Sequence, residues 1–460
     1  MTQDNGSDLA CNTDIDLIDE LGIDFSLDTT ISMLGKPTVP SPLQHKSYSC
    51  FVSENDRVLA RISVNNMKKN LAAGTEPASF ELAGPRKDIF FNPEGLRCAV
   101  VTCGGLCPGI NDVIRSIVLT LHYGYGVKTI YGIRYGLRGF APDSDLPPVE
   151  LTVESVNRIH EYGGTVLGSS RGPQPVEVIV DSLERMKVSI LFIIGGDGTF
   201  RAGVKIANEV ERRGLKTAIV AVPKTIDNDI YLVSKTFGFD TAVEMACQSI
   251  RCAHTEATGA PNCVGLVKVM GRYSGFIAAA ATIALKEVNF CLIPESDFDL
   301  DGPGGFLNAL EKRLEERSHA VIVLAEGAGQ KYVSGPEKER DPSGNIKLGD
   351  IGIFMRDRIK AHFKAADKEV FVRYIDPSYI IRSVPANVDD RLYCGNLGQN
   401  AVHAAMAGKT AMMISYWNDR YVHVPLSAAV SKRKMVNLKS RFWMSVLEST
   451  GQPSLKAQGS

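Results

Sequence analysis

From Arg97 onward, short apolar runs alternate with longer stretches in which apolar residues recur every three or four positions. The runs RCAVVTC, KTIYGI, SILFII, TAIVAV, CVGLVKV, HAVIVLA, FVRYID and AMMISY are β-rich and almost continuously hydrophobic. Strands of that kind are buried on both faces, the habit of parallel sheets covered by helices. Between them, Ile110, Val113, Ile114, Ile117 and Leu121 fall on one helical face. Thr241 and Glu244 have the spacing of a capping box opening a helix to Ala257. Gly214 and Gly408 follow helical stretches where a left-handed residue would close them. The polar span 327–349 reads as a loop, and the apolar stretch 277–285 as a buried helix face too short to cross a bilayer. No short-period repeat is present. The alternation predicts parallel α/β layers.

At 460 residues the chain exceeds what one core usually supports, which predicts two domains. Residues 1–95 lack sustained periodicity and contain the turn-rich GKPTVPSPL, so a partly disordered extension is expected there. Apolar residues make up 44% of the chain, and 51 Lys+Arg nearly cancel 52 Asp+Glu. That balance gives no broad basic field for nucleic acid, so any phosphate site must be local. Neither nucleic acid nor membrane is expected as a partner. The ten cysteines include no CxxC pair and read as small buried apolar residues. Eight acids and no Lys or Arg occur in the first thirty residues, the opposite of a transit peptide. A reducing, cytoplasmic location is expected. The basic run SKRK at 431–434 reads as a solvated helix start.

The strand-to-helix junctions carry the chemistry. IIGGDGTF at 193–200 and VTCGGLCPGIND at 101–112 each end a strand in paired glycines before a helix. Glycines let a backbone approach phosphate oxygens, helix-start N–H groups donate to them, and an aspartate there can hold Mg²⁺. A tight strand-to-helix turn is the competing reading, and glycine pairs alone favour it. Neither matches the Walker or dinucleotide patterns. AVPKTIDNDI at 221–230 concentrates Lys224, Thr225, Asp227, Asn228 and Asp229 behind an apolar strand. Phosphoryl transfer to an alcohol needs a metal, a base and cations, which such a group could supply. An Asx-rich turn is the competing reading of this segment. Downstream, Gly271, Arg272 and Ser274 in VKVMGRYSGFIA, Glu326 in AEGAG, and Arg373, Tyr379 and Arg382 in VRYIDPSYIIRS sit at further strand ends. Paired arginines suit a phosphomonoester.

GGDGT, PKTIDND, MGR, AEG and YIIRS, in that order, closely resemble the ATP-dependent 6-phosphofructokinases, particularly their plant-type branch. The resemblance spans about 97–408. It implies two Rossmann-like domains with mainly parallel sheets and a cleft between them. ATP and Mg²⁺ would lie on one domain and fructose 6-phosphate on the other. The implied boundaries are 96–240 for the nucleotide domain, with 383–410 returning to it, and 241–382 for the sugar-phosphate domain. Residues 411–460 would form a helical segment ending in a disordered tail. Carried over by position, Asp227 would take the proton of the sugar's 1-hydroxyl, Asp197 would bind Mg²⁺, and Asp229 would support the metal and the transition state. Arg272 completes that catalytic set. Gly105, Arg171, Gly172, Gly196, Asp197, Gly198 and Thr199 would contact ATP. Thr225, Ile226, Met270, Gly271, Arg272 and Glu326 would contact the sugar phosphate, with Arg373, Tyr379, Ile380, Ile381 and Arg382 around its 6-phosphate. Bacterial relatives borrow some of those arginines from a neighbouring subunit, which implies a homo-oligomer, a tetramer.

Two departures bear on the assignment. Lys224 stands where bacterial ATP enzymes have glycine, a lysine familiar from pyrophosphate-dependent relatives. Gly198 stands where pyrophosphate users carry aspartate, and its empty side chain leaves room for the nucleotide's α-phosphate, so ATP is the expected donor. Cys263 replaces an arginine of the bacterial 6-phosphate site, and Tyr379 a histidine. The rival readings are a pyrophosphate-dependent phosphotransferase, a lipid or NAD kinase, and a catalytically silent regulatory subunit. TIDND and YIIRS argue against the lipid and NAD kinases, and the presence of both Asp197 and Asp227 against the silent subunit.

Overall fold

Each of the eight apolar runs forms a strand. In the computed structural model, which describes residues 27–46, 50–142, 144–170, 172–333 and 346–456, these strands divide between two sheets. The large sheet has nine strands in the order Arg57–Leu59, Ser79–Leu82, Arg420–Pro425, Met412–Trp417, Ala218–Pro223, Ile190–Gly195, Arg97–Thr102, Thr129–Ile133, Val149–Glu150. The five from Met412–Trp417 to Thr129–Ile133 run parallel, and antiparallel strands finish both edges. Every residue of Ile190–Gly195 and Ala218–Pro223 is buried, as a strand covered on both faces requires. The small sheet is wholly parallel, ordered Phe290–Leu292, His319–Ala325, Cys263–Val269, Phe371–Ile375. Its far face carries a separate apolar core built on Leu266, Ile322, Phe298 and Phe306.

Several boundaries differ from the sequence expectation. The segment expected to be an extension supplies two strands to the large sheet, Arg57–Leu59 and Ser79–Leu82, and its residues 1–26 lie outside the described residues. The C-terminal segment expected to be helical opens with the hairpin Met412–Trp417 and Arg420–Pro425 before any helix. Asn418 and Asp419 turn it with φ of 46° and 58°, the two left-handed residues that a tight hairpin turn takes. The expected disordered tail falls at 457–460, again outside the described residues. Phe290–Leu292 is too short to have shown a period.

The expected capping box does not form. The helix Phe239–Thr258 begins two residues before Thr241, and its cap is borrowed from another helix, Val388–Met406. Asp390, fully buried, accepts from the Gly238 N–H at 2.8 Å, the Thr241 N–H at 2.8 Å and the Thr241 hydroxyl at 2.6 Å. A carboxylate against free N–H groups and the positive helix end does the work of a local Ser or Thr cap. Glu244 turns instead to the Asn387 amide at 2.9 Å. Gly214 and Gly408, at φ 67° and 83°, close their helices as expected. Seven of the nine described cysteines are buried and all nine are free thiols. No helix among the described residues is long and apolar enough to cross a membrane.

A buried charge cluster ties the chain's two ends together. Sheet register sets Glu81 against His423, whose Nδ1 lies 2.8 Å from Glu81 Oε1. Lys409 Nζ at 2.6 Å and Arg86 Nη2 at 2.9 Å reach the same oxygen. Burial works to raise the Glu81 pKa, but His423 and Lys409 overcome it and hold the carboxyl at about 2. Nearby, His403 Nδ1 pairs with the Tyr125 hydroxyl at 2.8 Å, and burial beside Arg86 pushes that imidazole down to about 4.

An unfolded histidine titrates near ~6.5, so below that pH the unfolded chain takes a proton that folded His403 refuses. The stability owed to neutral His403 is therefore full above about pH 6.5 and is lost as pH falls toward 4. Thermal melts at half-unit pH steps should show His403→Gln flattening the fall of Tm across that window. A slope equal to the wild type's would assign the loss to other groups.

Candidate active site

Strand carboxyl ends from both sheets open onto one cavity of about 950 Å³. Parallel strands bring this about, because they put all their carboxyl ends and the following helix starts on the same edge. The large sheet contributes Gly104 and Gly105 after Arg97–Thr102, Gly196 to Thr199 after Ile190–Gly195, and Lys224 to Asp227 with Asp229 after Ala218–Pro223. The small sheet contributes Met270 and Arg272 after Cys263–Val269, Glu326 after His319–Ala325, and Tyr379 and Arg382 beyond Phe371–Ile375. Asp197 and Asp227, distant in sequence, thus line one crevice.

The glycines at these ends have separate duties. A Cβ at Gly195 would lie 2.5 Å from the Thr199 side chain, so glycine is what lets the helix Asp197–Arg212 start immediately beyond the strand. A Cβ at Gly198 would meet nothing within 4 Å, leaving open space beside the helix start. Asp197 opens that helix and receives Arg201 one turn on, at 3.2 and 3.3 Å. Lys224 is 5% exposed and donates to the Gly105 carbonyl at 2.7 Å, tying the glycine turn at 104–105 to the turn that follows Ala218–Pro223, while burial lowers its pKa.

The turn after Lys224 is both a turn closed by a threonine hydroxyl and a wall of the cavity. Thr225 Oγ1 accepts the Asp227 N–H at 3.1 Å, and Asn228 is left-handed at φ 53° with its Oδ1 accepting the Thr236 N–H at 3.1 Å. Ser274, from the small-sheet side, donates to the Asp227 carbonyl at 2.9 Å and stitches the two lobes at this point. The Asp227 carboxylate is left facing the cavity, its Oδ1 buried with no hydrogen-bond partner among the described residues. Burial, then the neighbouring Asp229 and Glu326, raise its pKa to about 7. Burial also raises Asp229 and Glu326, opposed by Arg433 and Arg272 respectively.

Of the residues expected at the site, Gly105, Gly172, Gly196, Asp197, Gly198, Thr199, Lys224, Thr225, Ile226, Asp227, Asp229, Met270, Arg272, Glu326, Tyr379 and Arg382 line the cavity. Arg171 lies outside the described residues. Gly271, Arg373, Ile380 and Ile381 do not line it. Gly271, at φ 135°, shapes the turn, since a Cβ there would lie 2.5 Å from the Ser274 carbonyl. Ile381 is buried in the main core and Ile380 is 62% exposed. Arg373 pairs with Glu256 at 3.5 Å and sits opposite Gly265 in the sheet. Four residue steps along the strand then separate that level from Val269 at the cavity, about 13 Å at the usual rise. Cys263 lies still farther back, at the strand's first residue.

Two cations of the run SKRK belong to the site, contrary to the solvated helix start expected there. Arg433 lines the cavity and reaches Asp229 at 2.7 Å and Asp197 at 3.6 Å. Lys434 is 2% exposed, and its ammonium donates to Asn228 Oδ1 at 2.8 Å and to the carbonyls of Val233 at 2.8 Å and Ser234 at 3.1 Å. Burial brings its pKa to about 7. Arg201 and Lys205 also line the cavity. Their spacing of four and eight from Asp197 was a helical-face signal available in the sequence.

An enclosed edge with glycine turns, helix starts, buried carboxylates and converging cations defines a two-lobed α/β site for phosphate chemistry. The phosphofructokinase family model matches residues 97–405. The ATP-dependent 6-phosphofructokinase of Borreliella burgdorferi is 51% identical over 439 residues, 93% of this chain and 97% of that protein. The ATP-dependent 6-phosphofructokinase 1 of Arabidopsis thaliana is 46% identical over 431 residues, 92% and 89% of the respective chains. The solved pyrophosphate-dependent phosphofructokinase of Marinobacter aquaeolei shares the fold, with a TM-score of 0.64 at 18% identity, covering 78% of this chain and 92% of that one. The chain belongs to the phosphofructokinase family.

The open space at Gly198 generates a prediction. Gly198→Asp should leave folding intact, because its Cβ meets nothing and an acid near a helix start is favourable by roughly 0.3–1 kcal/mol. Its KM for ATP should rise at least tenfold through repulsion of the phosphates. Unchanged ATP kinetics with an unchanged melt would remove Gly198 from donor selection.

Proposed function

We propose that the protein transfers the γ-phosphoryl group of ATP to the 1-hydroxyl of fructose 6-phosphate, giving fructose 1,6-bisphosphate. The names of its curated relatives support this reading. The observation that carries it is the Asp227 carboxylate, half-buried, with Oδ1 unpartnered, in a residue that lines a cavity shared with Asp197. An acceptor hydroxyl that donates to the Asp227 carboxylate from the cavity loses its proton there as the phosphoryl group arrives. Arg272 and Arg382 line the same cavity and supply charge for sugar and phosphate oxygens.

The donor set suits magnesium delivered with its nucleotide. Among the described residues no group of three or more His, Cys, Asp or Glu side chains is placed to hold a metal by itself. Mg²⁺ is commonly bound through one or two carboxylates together with phosphate oxygens, a role open to Asp197 with Asp229 beside it. When bound it would offset phosphate charge, whose repulsion from a carboxylate at ~4 Å costs several kcal/mol at an effective dielectric near ~20. Gly105, Gly172, Gly196 and Thr199 would hold the nucleotide at the glycine turns. Arg373, away from this chain's cavity and half exposed, would exchange its ion pair with Glu256 to serve a neighbouring subunit, the arrangement a homotetramer would use. The cytoplasmic location rests on the acid-rich first thirty residues and on a chain whose described cysteines are all free thiols.

Pyrophosphate is the second reading, favoured by Lys224 at the cavity wall. A coupled assay with fructose 6-phosphate and Mg²⁺ should give turnover with ATP at least a hundredfold above that with pyrophosphate. The reverse ratio would establish the second reading, and no turnover with either donor would indicate a silent subunit. Asp227→Ser should lower kcat by three or more orders of magnitude while leaving fructose 6-phosphate affinity within a few-fold, since the base acts in the transition state. Equal losses in binding and rate would instead make Asp227 a substrate-binding group.

A further inference from the structure

The segment 431–436 crosses the floor of the cleft as a strap held from both lobes. Arg433 forms an antiparallel bridge with Ile230, and the Lys434 N–H donates to the Asp229 carbonyl at 3.1 Å. Both contacts belong to the turn that follows Ala218–Pro223 in the large sheet. The Val436 N–H donates at 2.8 Å to Glu295 Oε1, and the same oxygen accepts from the Gly275 N–H at 3.1 Å, at the head of a helix on the small-sheet side. The backbone is thereby anchored at Arg433, at Lys434 and at Val436.

Its side chain is equally confined. The guanidinium lies 4.1 Å over the ring of Tyr273, which presses on it from the small-sheet side. From the large-sheet side, Asp229 accepts Nη1 at 2.7 Å and Asp197 lies 3.6 Å from Nη2. One planar cation thus spans the two carboxylates that magnesium would use. Asp229 is 10% exposed at its side chain, so its interaction with Arg433 is weakly screened. Arg201 also holds Asp197, but from a side chain 55% exposed to solvent.

We propose that Arg433 sets the metal selectivity of the cleft: it competes with a free divalent cation for Asp197 and Asp229 and yields only when phosphate oxygens arrive with the metal. The guanidinium is a fixed positive charge beside the carboxylates, so a bare ion meets an Asp229 oxygen already hydrogen-bonded, an Asp197 carboxylate 3.6 Å from the same cation, and electrostatic repulsion. A metal–nucleotide complex brings anionic oxygens that give the guanidinium new partners in place of the ones it releases. The cleft therefore favours the complex over the bare ion. This rests on the kinase reading for the identity of the metal and nucleotide, whereas the competition itself follows from the contacts of Arg433.

The test uses the full chain and Mn²⁺ as a spectroscopic probe of the magnesium position. Binding of free Mn²⁺ is followed by electron paramagnetic resonance, with and without ADP, for the wild type, Arg433→Gln and Arg433→Lys. Arg433→Gln should bind free Mn²⁺ at least tenfold more tightly than the wild type, while its affinity for Mn²⁺–ADP should fall at least tenfold. Arg433→Lys, which keeps the charge and loses the fork, should resemble the wild type toward free Mn²⁺. A merely structural strap would lower Tm in both variants without tightening free Mn²⁺ binding, and that outcome overturns the proposal. So would free Mn²⁺ affinity unchanged in Arg433→Gln. If the kinase reading fails, the coupled assay is silent in the wild type while the free Mn²⁺ comparison still reports on Arg433.

Discussion

Carboxylates gathered at the carboxyl edge of two parallel sheets must be balanced by cations that the rest of the chain delivers. Asp227, Asp229 and Glu326 are each pushed toward the neutral form by burial, and like charge adds to the push on Asp227 and Asp229. Leaving them ionised beside one another is costly unless positive charge is close. Arg272 and Arg433 supply it from opposite sides of the cavity, and Lys434 supports the turn that presents Asp229. The cleft is in this sense an electrostatic assembly before it is a binding site. Its cations come from strand ends and from a segment past the last sheet strand, so its balance depends on nearly the whole chain being folded.

The same logic separates the ordered from the reactive in the turn at 224–229. Thr225, Asn228 and Ser274 satisfy backbone and side-chain groups there, so the turn is rigid. Asp227 Oδ1 is the oxygen left over. A buried acceptor without a donor costs roughly 1–3 kcal/mol, and the turn carries that cost at a residue that lines the cavity. Rigidity around an unsatisfied oxygen is how the fold favours a ligand without closing over it.

Much of this was legible in the sequence because parallel strands buried on both faces are continuous apolar runs, and their ends are marked by glycine and acid. All eight runs became strands, and the glycine-rich and aspartate-rich junctions converged on one cavity. Arg57–Leu59, Ser79–Leu82 and Phe290–Leu292 escaped notice because three or four residues carry no period. The cap of Phe239–Thr258 was misread since its carboxylate, Asp390, lies about 150 residues away, and local spacing favoured Glu244. Arg433 and Lys434 were misread for a related reason: a four-residue basic run is ordinarily solvated, and only the tertiary fold shows that it threads between lobes. Arg373 was placed at the phosphate by resemblance, whereas strand register sets it behind the cavity of its own chain.

The strap at 431–436 also fixes the order in which competence can appear. A ribosome delivers the glycine turns, then the acids of the 224–229 turn, then Glu326 and Arg382, and only afterwards the arginine that neutralises Asp229. Until those last residues are in place Asp229 lacks the cation that meets it at 2.7 Å, whereas Arg272 already stands beside Glu326. The last part of the chain to be made is thus the part that completes the charge balance of the pocket.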